Sequence, residues 1–146
     1  MNQEYAVEST PRHLWIVGIL AVLWNAMGGL DFVMTHTRNE AWLAGFTPEQ
    51  LEYFLGFPLW ANVTWGIAVW GSIIASILLL ARSRFALTGF LVSLIAMTLT
   101  TVYNYLLTDG LAIMGAAGTA FSAFIYVCGV LFYVYARRMS QRGVLR

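Results

Sequence analysis

Residues 59–107 read LWANVTWGIAVWGSIIASILLLARSRFALTGFLVSLIAMTLTTVYNYLL. Two apolar runs, about 59–81 and 85–107, are joined by a turn that carries Arg82 and Arg84. A helix rises about 1.5 Å per residue, so about 20 residues cross a hydrocarbon core roughly 30 Å thick. Each run is long enough. Strands of a membrane barrel would be about ten residues long with strict alternation of polar and apolar positions, a pattern absent here. The stretch therefore predicts a helical hairpin that enters and leaves a membrane.

Working outward, two further runs of similar length lie at about 14–34 and 111–136, which makes four spans in a single domain, residues 1–146. The composition agrees: 60% of residues are hydrophobic and 10% charged, and the mean hydropathy is +0.71. Soluble domains carry about 25% charged residues, so lipid must form part of this chain's solvent. The net charge of +1 conceals an asymmetry. Arg12, Arg82, Arg84, Arg137, Arg138, Arg142 and Arg146 fall on one side of the four spans, and Arg38 alone falls on the other. That bias predicts cytoplasmic termini. The N-terminal MNQEYAVESTPRH lacks a basic leader region, so the first span reads as a retained helix rather than a cleaved signal. Cys128 is the single cysteine, which excludes an internal disulfide and a thiolate metal cluster.

The long first loop contains FTPEQL, which matches a helix start: Thr47 as cap, Pro48 in the first turn, and Gln50 placed to reach back to the cap. A short amphipathic helix is expected at about 48–55, ending at Gly56, with Leu51, Phe54 and Leu55 on its apolar side. The expected fold is an all-α membrane protein. It is a four-transmembrane-helix bundle with this short helix in the first extracytoplasmic loop.

Polar side chains gather toward the extracytoplasmic ends of the spans. The candidates for ligand contact are Asn25, Asp31, Asn62, Trp65, Thr101 and Asn104, with Trp24 and Tyr103 nearby. Amides in hydrocarbon need partners, so Asn25, Asn62 and Asn104 should face the bundle. Two arrangements satisfy them: a polar pocket open to the outside, or hydrogen bonds between helices. Asp31 lies about 25 Å along the first helix from Leu14 at 1.5 Å per residue, where the helix is leaving the core. An interfacial carboxylate paired with Arg38, or capping a neighbour, is expected there. His13 and His36 sit at opposite ends of that helix and cannot share a metal. No metal-protease, phosphate-loop or nucleophile-elbow motif occurs. Neither a catalytic set nor a cofactor or metal site is read from the sequence, and the basic tail ARRMSQRGVLR reads as a membrane anchor, with no nucleic acid as partner.

The segments WNAMGGLDF, FTPEQLEYFLGFPLW and GSIIASILLLARSRFAL resemble a group of small bacterial inner-membrane proteins commonly described as sugar transporters. The similarity to the DoxX-like four-helix family is looser, and the acidic residue typical of that family's second helix is missing around Trp70–Gly71. These resemblances imply a multi-pass inner-membrane protein, with solute transport or a redox association as activities. Read from the residues themselves, the first expectation is a non-enzymatic accessory or structural subunit. Its partners would be the lipid bilayer and a homo-oligomer or larger membrane complex. A small-solute (sugar-type) binder or transporter acting as an oligomer, with an outward-facing polar pocket, and a DoxX-like redox-associated membrane protein are the alternatives.

Overall fold

A computed structural model describes residues 10–146, and the acidic N-terminal segment read above lies mostly outside them. The elements are α1 (Arg12–His36), α2 (Glu40–Leu43), α3 (Pro48–Leu55), α4 (Leu59–Leu80), α5 (Phe85–Val102) and α6 (Gly110–Gln141). A π-helical turn, Tyr103–Leu107, extends α5. Four helices are long and apolar enough to cross a membrane: α1, α4, α5 with its π turn, and α6. The described residues form an all-helical bundle, as expected, and the short helix caps one end of it.

The helices follow one another around the bundle. α4 packs most closely on α5 and next on α1, and α5 packs on α6. Contact between α1 and α6 runs through long side chains: the His13 ring against Tyr135, and Trp24 edge-on to Phe124. We call the end holding α2 and α3 the loop end, and the end holding residues 81–84 and 142–146 the tail end.

The buried core concentrates at the tail end, where Leu14, Ala75, Leu79, Ala86, Phe90, Ala136 and Met139 pack together. Val144 and Leu145 join them, because the chain turns back after α6 and inserts both side chains. The Arg84 amide donates to the Arg146 carbonyl at 2.8 Å, and the Arg146 amide donates to the Arg82 carbonyl at 2.7 Å. The tail is thus part of the fold as well as a row of charges. It also explains why α6 runs to Gln141 rather than stopping near 136. Ala136 and Met139 lie one turn apart, and both are buried.

Helices α1, α4 and α6 end alike. In each, the second residue past the last turn closes back by a long backbone bond: Asn39 to Met34, Ser83 to Leu78 and Val144 to Met139. This is the Schellman ending, in which the preceding residue is left-handed and is ordinarily glycine. Gly143 fills that position after α6, but Arg38 (φ 53°) and Arg82 (φ 58°) fill it after α1 and α4.

Two departures from a plain span occur in the second half of the chain. The π turn is closed by Thr108, whose hydroxyl donates to the carbonyls of Tyr103 and Asn104 at 3.0 and 3.1 Å. Gly110 follows because a Cβ there would press on the Asn104 carbonyl and the Tyr53 hydroxyl. Within α6, Gly115 has φ 65° and ψ −176°, which breaks the helical ladder. The break frees the Ile113 carbonyl, and the Gln50 side chain donates to it at 3.2 Å. The Thr119 hydroxyl, four residues beyond Gly115, is buried and without a partner among the described residues.

Candidate functional site at the loop end

Helix α3 is built as the sequence predicts. Thr47 Oγ1 accepts from the Gln50 amide at 3.2 Å, and Gln50 Oε1 accepts from the Thr47 amide at 3.1 Å. Since Gln50 Nε2 reaches Ile113 on α6, one residue both starts α3 and ties it across the bundle. Tyr53, one turn further on, donates to Asn104 Oδ1 at 2.8 Å and lies 2.7 Å from Thr108 Oγ1. Burial raises the Tyr53 phenol above its ordinary value of 10.0, and the Thr108 hydrogen bond opposes that rise. A phenol that keeps its proton remains a donor to Asn104.

Beneath α3 lies a continuous aromatic layer centred on Phe57, which is 8% exposed. Phe57 touches Tyr53, Phe54, Trp65 and Tyr103, with ring centroids 5.0–6.1 Å apart. Trp65 in turn meets Phe32 and His36 of α1, and Phe32 stacks on the His36 ring at 4.1 Å. Contacts of this kind contribute about 0.5–1.5 kcal/mol per aromatic pair beyond the area they bury.

The six sequence candidates divide between several places. Asn62 and Trp65, one turn apart on α4, come together around His36. Asn104 belongs to the Tyr53 knot. The carboxylate of Asp31 accepts from the Trp42 indole at 2.9 Å, so its partner is an aromatic of α2 rather than Arg38. The Thr101 hydroxyl turns back to the Met97 carbonyl of its own helix at 2.8 Å. Asn25 sits deeper than the extracytoplasmic level the sequence suggested. Its Nδ2 donates at 2.9 Å to Ser76 of α4, which is fully buried and lies toward the tail end. All three asparagines find partners inside the bundle, and each finds a different one.

Two openings mark this end. A small cavity of about 130 Å³ is lined by Thr35, His36, Arg38, Phe54, Leu55 and Asn62. A broad groove of about 460 Å³ runs between α3 and the start of α6, where Glu49, Glu52 and Asp109 stand beside Tyr53 and Tyr103. Of the sequence candidates, Asn62 lines the first opening. The residues that build this end and that the sequence reading did not single out are Thr35, His36, Tyr53, Phe57 and Thr108. Two of them carried a usable signal. GFP before a span marks a fixed entry point, and a histidine four residues after a phenylalanine on one helix face invites stacking.

Among the described residues, no three His, Cys, Asp or Glu side chains gather as a metal site. No family model, no curated protein and no solved structure matches the chain.

Proposed function

We propose that the protein is a non-enzymatic accessory or structural subunit of a larger membrane assembly. It would lie in an inner membrane with the tail end cytoplasmic and the loop end outside. One observation carries this reading: the polar side chains best suited to hold a solute are engaged with other side chains of this same chain. Asn25 binds Ser76, Asn104 binds Tyr53 and Asp31 binds Trp42. An amide that joins two helices specifies their packing, and it has fewer groups left to offer a passing solute.

The test is native mass spectrometry of the full chain, extracted gently from its own membrane. The expected result is a complex of this chain with a different protein in fixed stoichiometry. Recovery of the chain alone, or only as a homo-oligomer, would overturn the accessory reading.

A further inference from the structure

The small cavity beside α1 has a chemistry that the accessory reading does not use. His36 is fixed there by two acceptors. Its Nδ1 lies 2.8 Å from the Phe32 carbonyl, and its Nε2 lies 3.2 Å from Asn62 Oδ1. The Asn62 amide cannot turn to offer a nitrogen instead, because its Nδ2 already donates to the Phe57 carbonyl at 2.9 Å. Each ring nitrogen thus faces an oxygen, and the ring is held in one orientation at the rim of the cavity. Phe32 and Trp65 flank the ring, at centroid distances of 4.1 and 5.2 Å.

The other lining groups are donors too. Arg38 occupies the left-handed position where α1 ends, and the glycine usual there would bring no side chain to the cavity. Asn62 Nδ2 has a second proton besides the one given to Phe57. Thr35 is 5% exposed and lines the space. Thr98, Thr100 and Thr101 return their hydroxyls to their own helix, but Thr35 makes no such bond among the described residues. Among the described residues no carboxylate lines the cavity, and Phe54 and Leu55 of α3 form its apolar wall. Glu49 and Glu52, the acidic residues of α3, line the groove on the far side, and α4 contributes only Asn62 here.

We propose that this cavity binds a small oxyanion, held by Arg38, Thr35 and Asn62 beside the His36 ring. Its volume of about 130 Å³ has room for a carboxylate or phosphate group. A free organic acid and the headgroup of an anionic phospholipid present the same chemistry at this end of the bundle.

The two histidines make the test direct, because His13 lies at the other end of α1 and serves as an internal reference. The full chain, labelled with ¹⁵N-histidine, is placed in nanodiscs of phosphatidylcholine. Acetate is titrated at constant ionic strength while the ring signals are followed by NMR. The expected result is a saturable movement of the His36 signals with those of His13 unmoved. In Arg38→Gln saturation should need about tenfold more acetate, since the positive charge beside the anion is gone. Arg38 is exposed, so that variant leaves the bundle intact. Nanodiscs containing phosphatidylglycerol identify the source. If His36 already occupies its bound position there without acetate, the natural occupant is a headgroup; if it moves only on adding acetate, the occupant is a free acid. The proposal is overturned if His36 shows no saturable movement, if both histidines move alike, or if Arg38→Gln responds as the natural chain does.

Discussion

The seam between α4 and α5 and the loop-end half of α6 draw on the same residues and use them in opposite ways. In the seam, Gly71, Ala75, Gly89 and Ser93 let two backbones close on each other. A Cβ added at Gly89 would lie 2.9 Å from that of Ala75, which is itself fully buried. On α6, Ala112, Gly115, Ala116, Ala117 and Ala120 form an equally small-sided surface, yet all five are exposed. Lipid tails are as apolar as leucine, so helices in a membrane gain by close packing and hydrogen bonds more than by burial. Small residues therefore mark where a second helix can come close, and on this face of α6 the described residues bring none. Composition alone does not distinguish a used surface from an unused one.

The comparison breaks first, and most visibly, in the seam. Gly89→Val must push against Ala75 Cβ and its backbone Cα, 3.3 Å away, and neither can swing aside. Overpacking of this kind costs about 1–3 kcal/mol. It should appear as a lowered midpoint in reversible unfolding of the purified chain in detergent. A midpoint unchanged from the natural chain would mean that α4 and α5 are not in contact at that level.

The second largest effect is expected at the Tyr53 knot, the polar counterpart of that seam. Tyr53→Phe keeps the ring against Phe57 but leaves Asn104 Oδ1 and Thr108 Oγ1 without the phenol. A loss of about 1–2 kcal/mol is expected, in the range for a partly buried hydrogen bond whose partner is left unmatched. The pH dependence has a definite sign. The docked phenol retains its proton above 10.0 while the released one gives it up, so the unfolded state binds fewer protons there. The contribution is complete below about pH 10 and falls away as pH rises further. Unfolding midpoints measured from neutral to strongly alkaline pH should show this decline in the natural chain and a shallower one in Tyr53→Phe. Equal declines in both would assign it to other groups.

How much of this was legible in the sequence depends on the range of the interaction involved. The four spans follow from run length, and the start of α3 follows from Thr47, Pro48 and Gln50, all within one turn. The need of three asparagines for partners is also local physics. Which partners they take is not, because it depends on how far each helix is turned and shifted against the next. The sequence places Asn25 near one end of the spans with Asn62 and Asn104, yet it meets Ser76, which lies toward the tail end. Val144 and Leu145 look like the end of a basic tail until Gly143 turns them into the core. The break at Gly115 has no signature in hydropathy, since it lies inside an apolar run, and the π turn at the end of the third span depends on Thr108 reaching back to two carbonyls. The His36 site was missed because its two acceptors, Phe32 and Asn62, lie on different helices.

A smaller effect is expected from Asn25→Ala, which tests whether a deep interhelical hydrogen bond matters as much as a close seam. Ser76 Oγ accepts from Asn25 and also donates to the Ser72 carbonyl at 2.7 Å, so it keeps a partner when the amide is removed. The cost should lie near the average for such bonds, about 0.6 kcal/mol, well below that of Gly89→Val. A loss as large as the seam variant's would show that α1 is positioned mainly by this one amide.

The smallest effect on the isolated chain is expected where the comparison began. Ala116→Val adds the same type of side chain as Gly89→Val, but to an exposed position, so the unfolding midpoint should correspond to a change within about 0.5 kcal/mol. A β-branched residue also costs little in helix propensity, a few tenths of a kcal/mol by roughly the usual scale. If another chain's helix packs here, the effect moves from stability to association. Ala116→Val should then reduce the amount of partner recovered in gentle extraction while the chain's own unfolding stays put. If unfolding instead suffered as much as in the seam, this face would be in close contact within the chain, and the contrast between the two surfaces would fail. An unchanged midpoint with undiminished partner would place lipid on the face and move the partner's contact elsewhere on the bundle.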